Sequence, residues 1–265
     1  MDIIKRNFFR LLRSGALNEF ESIEPMSAFK WDRLIQMVKA QKVSEIALKG
    51  IRNHQYDEEM NIPASSFEEL QNSPMDTENI SSRLSNRFLN KRLKKIRENE
   101  PHAIDASMDT LTLLNIIVKN IGYMLNRGIS LNGILEMGRF LRTKGDKVDF
   151  VKLDGWLEEL HLQHMAQLQG NILISVFKFE QDEIPFVQKL EPEAGKLTLR
   201  SLNHTAMDTA KDWHFRQSKS GFVKNNSAVL RKNLRRSIRY INYAPIETTS
   251  NFINNFARSL SEIEE

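Results

Sequence analysis

Residues 108–126 read MDTLTLLNIIVKNIGYMLN, and the helical spacing they begin runs on to about residue 190. Leu111, Leu114, Ile117, Val118, Ile121 and Leu125 recur at three- and four-residue steps, which gathers them on one face of an α-helix. Gly128, just after Asn126 and Arg127, is a helix stop signal. Leu131, Ile134, Leu135, Gly138 and Leu141 predict the next helix. After a charged turn over 144–147 the pattern resumes with Phe150, Leu153, Trp156, Leu157 and Leu160. Met165 to Phe179 is apolar on nearly all sides (Ile172, Leu173, Ile174, Val176, Phe177), which predicts a central, buried helix. No proline interrupts the stretch before Pro185.

Working outward, residues 3–17 predict a helix through Ile4, Phe8, Leu11, Leu12 and Leu17, with Lys5, Arg6, Arg10 and Arg13 between them. Glu21 to Pro25 reads as a loop. Ser27 is a candidate N-cap for a helix with Trp31, Leu34, Ile35 and Val38 on one face. Val43, Ile46, Ala47 and Ile51 continue in a short helix, with Leu48-Lys49-Gly50 read as its C-cap. Residues 54–76, with Pro63 and Pro74, predict a surface loop with a helical turn at 65–71. From Ile80 to Arg97 a helix returns, carrying Leu84, Phe88, Leu89, Leu93 and Ile96. Its other face is basic: Arg83, Arg87, Lys91, Arg92, Lys94, Lys95 and Arg97. Residues 191–222 are less regular, and 226–243 and 246–260 predict two helices broken at Pro245. Strand signals are sparse. The expected fold is an all-α, multi-helix globular bundle, with at most a short strand or hairpin near 196–202. The expected organisation is an N-terminal helical segment (1–53), a loop plus basic helix (54–104) and a C-terminal helical domain (105–265).

Of the 265 residues, 40% are hydrophobic and 27% charged, a balance that supports a buried core and argues against wholesale disorder. Eleven glycines and seven prolines are few for a turn-rich β protein. The absence of cysteine excludes disulfides, thiolate metal sites and cysteine nucleophiles. The opening residues 1–10 carry too many charges for a signal-peptide core, and no run reaches about 18 apolar residues, so a cytoplasmic protein is expected. A net charge of +4 permits contact with an anionic partner without demanding one.

Two constellations stand out. His161 and His164, with Glu158 and Glu159 nearby, have the spacing of a metal pair on one helical face, or of an ordinary solvent-facing helix. The helix from Leu230 sets Arg231, Arg235 and Arg239 at four-residue steps beside Lys232 and Arg236, with Leu230, Leu234, Ile238 and Ile241 lining the other side. Such a helix can grip phosphates or lie on an anionic membrane; the simpler reading packs its apolar side on the core and leaves its basic face in solvent. There is no Gly-x-Ser-x-Gly, no Walker-type loop and no Gly-x-Gly-x-x-Gly.

Several fragments form a resemblance. Phe8-Phe9-Arg10-Leu11-Leu12-Arg13-Ser14-Gly15, Trp31-Asp32-Arg33-Leu34 and Ala40-Gln41-Lys42-Val43 resemble the N-terminal helices of an uncharacterised nucleotidyltransferase family of Bacteroidetes. Gly128-Ile129-Ser130-Leu131, Phe140-Leu141, Val148-Asp149-Phe150, Trp156 to Leu162, Glu183-Ile184-Pro185-Phe186 and Ser220 to Asn225 resemble its C-terminal helical part. The resemblance implies a Mg²⁺-binding Asp-x-Asp pair on a strand and a Gly-Ser turn near the triphosphate, because Mg²⁺ takes hard oxygen ligands. This chain has neither. The interval 52–108, where the sheet would lie, has no valine and four isoleucines (Ile62, Ile80, Ile96, Ile104).

The expectation is therefore a non-catalytic, nucleotidyltransferase-like helical protein that binds or scaffolds through its basic helices. No catalytic, cofactor or metal residue is assigned. Arg87, Lys91, Lys94, Arg231, Arg235 and Arg239 are the candidate anion- or partner-binding residues, for a protein partner or a nucleic acid. A divergent metal-dependent nucleotidyltransferase with carboxylates from Asp57/Glu59 or Asp76/Glu78 is one alternative, and a nucleic-acid-binding protein using its basic helices is the other.

Overall fold

The structure is a computed structural model that describes residues 2–73, 82–202 and 227–261. Among those residues it has twelve α-helices and no strand: α1 (Ile3–Leu17), α2 (Ala28–Ala40), α3 (Ser44–Asn53), α4 (Ala64–Gln71), α5 (Arg87–Asn99), α6 (Met108–Asn126), α7 (Leu131–Lys144), α8 (Phe150–Glu159), α9 (Gln163–Phe177), α10 (Glu193–Leu202), α11 (Ser227–Tyr240) and α12 (Pro245–Ser261). None of the described helices is long and apolar enough to cross a membrane.

Helix starts follow local chemistry. Asp2, Asn86, Ser107, Ser130 and Asp149 each accept a hydrogen bond from a first-turn amide, satisfying a donor that has no intrahelical partner. α6 ends where Gly128 takes φ 108° and its amide bonds back to the Tyr123 carbonyl. Ser27 holds the N-cap position of α2 but makes no side-chain cap bond.

α9 is central, touching α1, α6, α7, α8 and α10, with Met165, Leu168, Ile172, Leu173 and Phe177 wholly buried. Polar groups lock this centre. Asn120 on α6 donates to the Gly133 carbonyl on α7 (3.0 Å) and to Gln169 Oε1 on α9 (3.0 Å), while Gln169 donates to the Ile117 carbonyl (3.2 Å). The buried amides are thereby paired, and the three helices are fixed in register.

α1 and α3 cross with their backbones touching. A Cβ on Gly15 would stand 1.9 Å from the Ile46 carbonyl oxygen, and one on Gly50 2.2 Å from that of Leu11. Gly50 therefore serves close approach inside α3, which continues to Asn53; it is not the C-cap expected at Leu48-Lys49-Gly50.

Three further expectations are corrected. Residues 193–202 are helical, not a strand, and Ala194, Leu197 and Thr198, at helical spacing, pack inward against α9. The basic helix begins at Arg87 rather than Ile80, because Asn86 caps it by accepting from the amides of Phe88 and Leu89. The last break falls at 241–244, and Pro245 opens α12, a position where its missing N–H is harmless.

Candidate functional site

The two basic regions meet in space. Glu247, at the start of α12, accepts the backbone amides of Ser85 (2.5 Å) and Asn86 (3.0 Å) at the N-terminus of α5. Asn86 donates to Ser250, and Asn254 donates to the Ser85 carbonyl. Asn251 and Asn255 donate to Asn126 Oδ1 at the end of α6. α12 is thus docked by a polar seam whose inward residues are Glu247, Thr248 and Asn251.

α11 does the same. Its buried face is Asn233, Arg236 and Tyr240, and the Arg236 guanidinium donates to the Asn126 carbonyl (2.6 Å), which the end of α6 leaves without a helical partner. Tyr240, fully enclosed, has its hydroxyl pKa raised by burial. Leu234, Ile238 and Ile241 are 44%, 58% and 39% exposed. The expected packing of this apolar side on the core is therefore corrected: the helix turns that stripe outward and a polar face inward. On α12, Ile246, Ile253 and Phe256 also face solvent. Phe88 on α5, read from the sequence as part of the apolar face, is 79% exposed beside the buried Leu89, Leu93 and Ile96.

The sequence-predicted cations divide. Arg87, Lys91 and Arg235 are exposed, and Lys94 pairs with Glu98 across one helical turn (3.4 Å). Arg239 is half-buried beside Tyr240. Arg231 lies within α11, but the described side chains of that helix begin at Asn233. Arg92 and Arg97 are spent on structure: Arg92 donates to the Glu159 carbonyl (2.7 Å), and Arg97 donates to Asn115 (2.8 Å) and the Ser82 carbonyl (2.7 Å). Burial, then the charge of Arg83, lowers the Arg97 pKa.

The other candidates do not converge. His161 sits in the turn between α8 and α9 with φ 54°, so it and His164 do not share a helical face. Among the described residues no group of three His, Asp or Glu side chains is placed to hold a metal ion. Asp57 accepts from the amides of Ile23 (3.0 Å) and Glu59 (3.2 Å), which makes it a loop clamp. Asp76/Glu78 and the Ser220–Asn225 fragment lie outside the described residues.

The sequence reading missed an ion network. On α1, Arg6 and Arg10 bind Glu24 (2.6 and 2.7 Å), Arg10 also binds Glu21 (2.9 Å), and the buried Arg13 binds Glu21. Arg142 on α7 bridges Glu19 (2.6 Å) and Glu183 (2.8 Å), and Lys178 reaches Glu21 (2.7 Å). Burial alone would raise the Glu21 carboxyl, but hydrogen bonds from Lys178 and Arg10 and the charge of Arg13 outweigh it and hold it at about 2. The Arg6 hydrogen bond holds Glu24 at about 2 against its slight burial. The signal was the four-residue spacing of Arg6 and Arg10 ahead of an acidic loop. The network staples the 19–24 loop to α1, α7 and the 178–183 turn.

A cleft of about 1000 Å³ opens between the end of α1, α3, α6 and α7. Its charged walls are mostly engaged: Lys49 bonds Asn18 (3.2 Å), Glu136 bonds Lys119 (2.9 Å), and Arg142 has the two partners above.

No family model, curated protein or solved structure matches this chain. The reading of its function therefore rests on its own residues.

Proposed function

We propose that this is a non-catalytic helical protein that works by docking or scaffolding. Its contact face is made by the first half of α5 together with α11 and α12. The observation that carries the reading is the orientation of the last two helices, which bury Glu247, Asn251, Asn233 and Arg236 and leave Leu234, Ile238, Ile253 and Phe256 outward. Apolar side chains turned outward on a helix whose polar face is buried are what a contact surface needs, and large exposed apolar patches mark such surfaces. The exposed Arg87, Lys91 and Arg235 lie on the same three helices and favour an anionic partner. The likeness to a nucleotidyltransferase family belongs to the same proposal: outer helices kept, the catalytic sheet lost.

Photo-crosslinking groups placed singly at positions 238 and 253, with position 132 in the cleft as control, test this reading. Crosslinks concentrated at 238 and 253 are expected; equal yield at 132 would remove the docking face. Metal-dependent nucleotidyl transfer by the purified protein, abolished by a carboxylate substitution, would overturn the non-catalytic reading itself.

A further inference from the structure

We infer that the docking face binds the surface of an anionic lipid bilayer. This inference rests on the docking reading above and names its partner. Two kinds of group lie on three helices that the Glu247 seam and the Asn126 contacts hold together. The cations are Arg83, Arg87, Lys91 and Lys95 on and before α5, and Arg235 on α11, all exposed. The apolar groups are Phe88, Leu234, Ile238, Ile253 and Phe256, each at least one-third exposed. Between residues 227 and 261 the sole carboxylate is Glu247, and it is buried against the Ser85 and Asn86 amides. Among the described residues no acidic side chain of the hairpin therefore opposes an anionic partner; Glu262, Glu264 and Glu265 lie outside them.

A nucleic acid would satisfy the cations but would press aliphatic side chains against phosphate and sugar. A bilayer accepts both groups at different depths. Anionic headgroups meet the arginines and lysines, while phenylalanine, leucine and isoleucine enter the acyl boundary just below. Helices that carry exposed basic and apolar groups together suit binding in the plane of the interface; no described helix could span the membrane.

The test uses the whole chain in sedimentation with phosphatidylcholine vesicles, with and without phosphatidylglycerol, at low and physiological salt. One variant combines Ile238→Asp with Ile253→Asp; another combines Arg87→Glu with Lys91→Glu. All four positions are exposed, and a circular-dichroism melt checks that each variant folds as the parent does. Binding only to phosphatidylglycerol vesicles is expected. Each cation near such a leaflet contributes about 1 kcal/mol, or about fivefold in partitioning, so the charge variant should lose more than about tenfold. The apolar variant should lose binding at both salt concentrations.

Equal binding to both vesicle types overturns the inference. So does undiminished vesicle binding by the apolar variant, which would mean that charge alone holds the protein and that no side chain enters the acyl boundary. If no vesicle binds at low salt while the crosslinks still gather at 238 and 253, the lipid inference falls and an acidic protein becomes the partner, with the docking reading intact. If the crosslinks are also lost, the docking reading falls with it.

Discussion

A methyl group added to Gly50 would meet the Leu11 carbonyl at 2.2 Å, a backbone atom that no rotamer change can move. Gly50→Ala should therefore push α1 from α3 and destabilise the protein by about 1–3 kcal/mol or more. Gly155, on α8, is the internal control: nothing lies within 4 Å of its added Cβ. Gly155→Ala should be neutral or stabilising by up to about 1 kcal/mol, through helix propensity alone. Urea denaturation of both variants checks the pair, and a Gly50→Ala protein as stable as the parent would mean that the crossing can open without loss. Both glycines stand in helical patterns in the sequence. What separates them is a neighbour 39 residues upstream in the chain, Leu11 for Gly50, and hydrophobic spacing carries no information about such a partner. Gln169 teaches the same lesson from the polar side. It reads as one of several polar residues on α9, yet it is buried and ties α9 to α6 through Asn120 and the Ile117 carbonyl. Gln169→Leu should cost about 1–3 kcal/mol, because the Asn120 amide then lacks one buried acceptor.

At the scale of the element, spacing located helices well and assigned their faces unevenly. α6 and α7 bury the residues their periodicity selects, and α8 and α9 bury most of theirs, with Phe150, Trp156 and Ile174 partly buried at the edge of the core. α11 has as clear a stripe and points it away. The end of α6 presents an open carbonyl at Asn126 that Arg236 satisfies, and a hydrogen-bond requirement at a docking point overrides a periodic pattern. α10 was obscured for a different reason. Lys196 to Leu202 alternates polar and apolar residues, which fits a strand and a half-buried helix equally over so short a run. α12 supplies the prediction at this scale. Glu247→Ala removes the acceptor for two amides at the start of α5, so it should destabilise by about 1–3 kcal/mol. Glu247→Gln keeps one side-chain oxygen and should lose less. Chemical denaturation of both variants decides this, and equal stability of all three proteins would mean that the amides find water instead.

For the molecule as a whole, acid is the informative variable. Glu21 and Glu24 are held at about 2 in the folded protein against an ordinary carboxyl near 4.5. Their folded pKa is depressed, so the stability they contribute is fully present above about pH 4.5 and is lost as pH falls towards 2. Unfolding free energy should be flat above that window and fall within it. A Glu21→Gln protein should be less stable at neutral pH and show a shallower acid slope, measured by urea titrations across the pH series. The sequence contained the arginines and glutamates of this network but not their meeting, since Glu183 and Lys178 arrive from far along the chain. The seam under the last two helices is polar. Its contacts are amides and carboxylates that exchange readily for water, whereas α9 is wrapped in apolar side chains. Tyr240 and Ala244, both fully enclosed, pin the turn between α11 and α12. Native-state hydrogen exchange should accordingly split the protein into two cooperative units. The α11–α12 amides would open as a flap about that pinned turn at a lower free energy than those of Leu113, Ile117 and Ile172. A helical pair that can lift without melting the bundle would let the protein adjust its contacts while its core stays folded.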